Sequence, residues 1–193
     1  MIKKILTVAL LVFGTAAMAT FSGCQSTGSV KHSSPGSQAP ITKTEVMAAQ
    51  RAWGDGIVDI SRVYKEGGDY EARALAHIKS MYAYGDTIVL FKPTLASEDQ
   101  FRGDIDGALS YFIGREGTED TGFAIKGWTN VRFESEGIYS GSDLAMAMGN
   151  YFFTDPADNS EIKVEYSFGY VRGADGKLKI MLQHSSVPYG SWK

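Results

Sequence analysis

Leu178-Lys179-Ile180-Met181-Leu182-Gln183-His184-Ser185-Ser186-Val187-Pro188-Tyr189 begins apolar and ends polar. It reads as a strand. Side chains alternate faces along a strand. A strict count puts Leu178, Ile180, Leu182, His184 and Ser186 on one face. Lys179, Met181, Gln183 and Ser185 fall on the other. The first face is greasy for three positions and then offers an imidazole and a hydroxyl. Two readings fit it. One is a strand lining a closed apolar cavity with a polar end. The other is a core strand fraying into a loop, with His184 bonded to backbone.

Working back from this strand, the period of two persists to Gly122. Phe123 to Glu134, Leu144 to Phe153, Ile162 to Val171 and Leu178 to Ser186 read as four strands. Glu136-Gly137 with Ser140-Gly141, then Asp155-Pro156 with Asp158-Asn159, then Gly173-Ala174-Asp175-Gly176, supply the turns. Met146 and Met148 share a face with Leu144 and Asn150, and a methionine pair of this kind is ordinary core filling. Tyr166, Phe168 and Tyr170 share a face assigned to the outside of the sheet, where a second copy would dock.

Before Gly122 the period is helical. Thr42-Lys43-Thr44-Glu45 has capping-box spacing. Val46, Ala49, Trp53, Ile57, Ile60 and Tyr64 then form one apolar stripe. Gly54 and Gly56 within it mark close packing against a sheet, and Gly67-Gly68 ends the helix. Asp69 caps a second helix with Tyr70, Ala74, Ile78 and Met81 inward. His77, beside that stripe, reads as a structural helix histidine. Thr87 to Phe91 reads as a short strand. Ser97-Glu98-Asp99-Gln100 repeats the capping-box spacing before a third helix with Phe101, Ile105, Ala108 and Phe112 inward. Tyr111 lies at the edge of that stripe, where a ring can be buried while its hydroxyl reaches a cavity. Helices first, then an antiparallel meander, predicts an α+β domain: a curved antiparallel sheet wrapped as a cone around a long N-terminal helix. Leu182, His184, Ser186 and Asn150 are expected to point into its pocket.

The N-terminus is a targeting segment. Lys3 and Lys4 precede the apolar run Ile5 to Phe13, too short to span a bilayer. Ala17-Met18-Ala19 suits ordinary secretion, whereas Phe21-Ser22-Gly23-Cys24 resembles a lipobox whose cysteine carries lipid. Cys24 is the only cysteine, so no intramolecular disulfide can form. Residues 1–24 are assigned to a lipoprotein-type signal, 25–41 to a Ser/Gly/Pro-rich tether containing His32, and 42–193 to the single domain. The formal charge of −3 becomes −5 once Lys3 and Lys4 leave with the signal. With no basic run or Arg-rich face, nucleic acid is not an expected partner.

Familiar catalytic patterns are missing. There is no His-Glu-x-x-His, no glycine-rich phosphate loop and no Gly-x-Ser-x-Gly elbow. Only His77 and His184 lie within the domain, so a three-histidine zinc site is out of reach. Chemistry here has to run on hydroxyls, one imidazole and ordered water.

Several stretches resemble one family. They are Ala48-Ala49-Gln50-Arg51-Ala52-Trp53-Gly54-Asp55-Gly56-Ile57, Val89-Leu90-Phe91-Lys92-Pro93-Thr94, Ala108-Leu109-Ser110-Tyr111-Phe112, Asn130-Val131-Arg132-Phe133, Met146-Ala147-Met148-Gly149-Asn150-Tyr151-Phe152-Phe153 and His184-Ser185-Ser186-Val187-Pro188-Tyr189. The chain is similar to the metal-independent iota-class carbonic anhydrases, of nuclear transport factor 2-like fold. The resemblance implies reversible hydration of carbon dioxide without a cofactor, in a homodimer. It places Thr94, Tyr111 and Ser186 around bicarbonate or water, near His184. An imidazole's ordinary pKa of about 6.5 makes His184 a candidate proton acceptor or shuttle, and the face count adds Leu182 and Asn150, with the adjoining Ser185, as expected substrate contacts. Many members have His-His-Ser-Ser where this chain has Gln183-His184-Ser185-Ser186, and on the alternation count that difference falls away from the pocket. Two other classes stay open. One is a binding or assembly module of the same cone, lipid-tethered through Cys24 at the cell envelope. The other is an isomerase or dehydratase, which needs an Asp-His pair not evident here.

Overall fold

The computed structural model describes residues 39–190. The signal, the lipobox with Cys24, His32 and most of the tether lie outside the described residues. Thr42 caps helix α1 (Lys43–Lys65) in a reciprocal box: the Glu45 N–H donates to Thr42 Oγ1 at 3.2 Å, and the Thr42 N–H donates to Glu45 Oε2 at 2.8 Å. Asp69 caps α2 (Tyr70–Met81) by accepting from the Ala72 N–H at 2.9 Å.

The third helix starts later than its capping-box spacing predicts. The Glu119 carboxylate takes the N–H groups of Ser97, Glu98 and Asp99 and holds that stretch as a loop. Asp104 then caps α3 (Ile105–Ile113) through the Gly107 N–H at 2.8 Å. The strand expected from Phe123 also starts later. Phe123–Ile125 is a 3-10 turn, with Gly122 at φ +78° and Gly127 at φ +88° breaking the extended path. Ser61 of α1 pins this turn, donating to the Ala124 carbonyl at 2.7 Å and accepting from the Trp128 N–H at 3.1 Å.

Five strands form one sheet in the order β1-β5-β4-β3-β2. They are β1 (Leu90–Lys92), β2 (Asn130–Ser140), β3 (Leu144–Thr154), β4 (Glu161–Arg172) and β5 (Leu178–Ser186). β1 joins β5 in parallel and the other pairs are antiparallel. Glu136-Gly137 is a bulge inside β2, where the register slips between Ser135 and Gly137, rather than a turn.

α1 lies on the inner face of this sheet. The Trp53 ring meets Phe133, Tyr151, Phe153 and Phe168 edge-on, with centroids 5.7–6.3 Å apart. The helix sits so close that a Cβ at Gly54 would stand 2.9 Å from the Val131 carbonyl oxygen. Gly56 serves a different neighbour: a Cβ there would stand 2.1 Å from Nδ1 of His77 on α2. Tyr166, Phe168 and Tyr170 are buried on the inner face, against their assignment to the outside. Aromatic rings supply the thickness that lets a single sheet curve around one helix, so these three belong to the core. The outer face instead exposes Tyr139, Met146 and Met148.

Candidate active site

A cavity of about 180 Å³ opens between the inner sheet face, α1 and α3. Its walls are mainly apolar, with Phe91, Phe123, Trp128, Phe153, Val164 and Val187 among them. Its polar groups are few. Thr94 follows β1 beyond Pro93. Tyr111 comes from α3, Tyr151 from β3, and Gln183 with Ser185 from β5. Lys126 lies on the wall beyond the 3-10 turn.

The residues from β5 are not those that strict alternation selects. In the β4–β5 ladder, Tyr170 faces Ile180 and Gly169 faces Leu182, so Met181 has no opposite number. One extra residue on one strand flips the side-chain phase beyond it. Leu178 and Ile180 point inward, and after the bulge Gln183 and Ser185 do. Leu182, His184 and Ser186 turn outward. Leu182 and His184 line a groove on the outer side with Ile88, Leu90 and Phe101. Ser186 Oγ donates to Glu165 at 2.8 Å at the surface. Asn150 also faces away, because its neighbour Tyr151 takes the inward position. Thr94, Tyr111 and Ser185 therefore reach the cavity, whereas Ser186, His184, Leu182 and Asn150 do not. The sequence carried one signal of this: Gly169, a glycine inside β4 where a Cβ would stand 3.0 Å from Leu182 Cβ.

A buried hydrogen-bond chain supports the site from behind. Trp53 Nε1 donates to the Tyr82 hydroxyl at 3.0 Å, and Tyr82 donates to Gln183 Oε1. Gln183 Nε2 donates to Ser185 Oγ at 3.4 Å, and the Tyr151 hydroxyl donates to the same oxygen at 2.6 Å. The Thr94 side chain lies toward the Tyr151 hydroxyl, and the N–H groups of Leu95 and Thr94 toward that of Tyr111. Burial raises the Tyr111 phenol, against the pull of those amides. Burial likewise pushes Tyr151 up to about 12, against its bonds to Ser185, Thr94 and Gln183. At neutral pH both phenols keep their protons and act as neutral donors. Tyr151, Gln183, Tyr82 and Trp53 were not among the residues singled out from sequence for the site.

Among the described residues, no carboxylate or imidazole lines this cavity. Among the described residues, no group of three or more His, Cys, Asp or Glu is placed to hold a metal ion. The site is a mostly apolar chamber with a cluster of neutral hydroxyls at one side, and this suits a small apolar molecule that becomes an oxyanion.

Comparison with known proteins points the same way. The family model described as metal-independent carbonic anhydrase matches residues 44–187. A metal-independent carbonic anhydrase of Nostoc sp. (strain PCC 7120) is 41% identical over 154 residues, covering 77% of this chain and 75% of the relative. A crystal structure of a cyanobacterial iota-carbonic anhydrase complexed with bicarbonate superposes with a TM-score of 0.75 at 38% identity. That match covers 79% of this chain and 95% of the other. The chain belongs to the metal-independent carbonic anhydrase family.

Proposed function

We propose that the protein hydrates carbon dioxide reversibly to bicarbonate and that Thr94, Tyr111 and Ser185 are the groups that touch the reacting atoms. The observation that carries this reading is the convergence of these three hydroxyls on one mostly apolar cavity. Carbon dioxide rests on the aromatic wall. Water attacks its carbon, a C–O bond forms, and one C=O electron pair moves onto oxygen. The water's proton leaves to solvent, so one carbon dioxide and one water yield bicarbonate and one proton. The hydroxyls orient the water and donate to the oxygen that gains charge. A preorganised donor aimed at developing charge contributes about 2.7–4 kcal/mol. His184, turned outward, takes no part in this scheme.

The reading extends to assembly and location. Ile88, Leu90, Phe101, Met146 and Met148 are exposed on the outer side of the sheet, and we assign a homodimer contact to this face, since exposed apolar surface marks interaction sites. Lipidation at Cys24, with the domain held at the cell envelope, follows from the lipobox. Stopped-flow carbon dioxide hydration by the folded domain, with and without a strong chelator, tests the function. Activity that survives chelation and is lost in Ser185→Ala and Tyr111→Phe is the expected result. A folded protein inactive in both conditions overturns the reading.

A further inference from the structure

We propose that Gln183 is a positioning residue that aims the Ser185 hydroxyl proton into the cavity, making Ser185 a hydrogen-bond donor to the substrate oxygen that gains charge. This rests on the hydration reading above and deepens it. The argument is one of donor and acceptor capacity. An indole N–H can only donate. Tyr82 accepts it at 3.0 Å, so the single Tyr82 proton goes onward, to Gln183 Oε1. With its carbonyl so engaged, Gln183 presents its amide nitrogen to Ser185 Oγ at 3.4 Å, and that nitrogen can only donate. Tyr151 donates to the same oxygen at 2.6 Å. Both acceptor sites of the serine oxygen are then filled by protein. Its own proton is left for the cavity that Ser185 lines.

Trp53, Tyr82, Gln183, Tyr151 and Ser185 are all buried. Tyr82, at the back of the chain, meets no solvent that could reverse it. The indole fixes the sense from Trp53 through Tyr82 to Gln183, and Tyr151 donates to Ser185 from the other side. The titratable groups facing Gln183 and Ser185 are Tyr82 and Tyr151, with Tyr111 and Lys126 on the same cavity. Burial raises Tyr82 as it raises the other two phenols, so the chain does not lose its protons near neutral pH. The amide of Gln183 has no proton to lose there either. Gln183 is thus a group whose donor sense is the same at every pH of interest.

Gln183→Glu tests the proposal. An ionised carboxylate only accepts, so the Ser185 proton turns away from the cavity toward it. The protonated acid can donate as the amide did. Desolvation raises buried glutamates to about 8–9, which brings this switch into an accessible range. Between about pH 6 and pH 9, kcat for hydration, taken relative to wild type at each pH, is expected to fall about 100-fold as the introduced acid ionises, with KM little changed. A relative kcat that stays flat across that range overturns the relay. Gln183→Met separates proton aim from charge and also serves if the first variant fails to fold. Losing one neutral hydrogen bond is expected to lower its kcat about tenfold. A wild-type kcat in a folded Gln183→Met protein overturns the proposal. An active wild type with unaffected variants removes only the relay, whereas an inactive folded wild type removes the hydration reading on which it rests.

Discussion

Acidification from about pH 7 to pH 5 should cost this fold about 2 kcal/mol through His77 alone. The imidazole is buried on α2, lying over Gly56 and between the Trp53 and Phe112 rings at 6.4 and 6.0 Å. Its Nε2 has no hydrogen-bond partner among the described residues. Burial, and next the charge of Arg73, hold its pKa down from 6.5 to about 3, with Asp59 acting in the opposite sense. The folded pKa is the lower one, so between these values the unfolded chain binds the extra proton. The stability His77 contributes is complete above 6.5 and is lost as pH falls, at up to about 1.4 kcal/mol per unit. At pH 5 about one and a half units of that window have been crossed, which gives the 2 kcal/mol. Urea unfolding of wild type and of His77→Leu at both pH values isolates the effect, because the other titrations cancel in the comparison. Wild type should lose about 2 kcal/mol more than the variant. Equal losses in the two proteins would refute the reasoning.

Ser185→Ala should lower the hydration kcat by about 10²–10³, whereas Ser186→Ala and His184→Ala, altered outside the cavity, should stay within about twofold of wild type in the same stopped-flow assay. Gly54→Ala pushes a methyl against the Val131 carbonyl and should cost about 1–3 kcal/mol in chemical denaturation. Arg102→Met removes the partner held 2.8 Å from buried Asp120, and breaking a buried pair should cost about 3–5 kcal/mol in the same measurement. Met148→Asp on the outer sheet face should shift the protein to a monomer in sedimentation velocity while leaving its helical and strand content intact.

The parts of the fold legible in sequence are those governed by neighbours along the chain. Thr42 with Glu45, and Asp69, begin their helices because a short polar side chain satisfies free N–H groups a turn away. The β5 boundaries, Leu178–Ser186, coincide with the alternating run between its turns. Errors arose where a distant group took a local one's partner. Glu119 captured the Ser97 to Asp99 amides and delayed α3. Tyr166, Phe168 and Tyr170 looked like an outer stripe because alternation reports that three residues share a face without saying which side the helix covers.

The site divides along the same line. The sequence by itself left hydroxyls, one imidazole and ordered water as the means of any chemistry, and resemblance singled out Thr94 and Tyr111, which line the cavity. Only the tertiary structure decided which half of β5 joins them. A bulge belongs to a pair of strands. Met181 is unopposed because Gly169 meets Leu182 while Tyr170 meets Ile180, and no count along one strand contains that pairing. That one residue exchanges Ser186 and His184 for Ser185 and Gln183, and places an amide where alternation had left only surface.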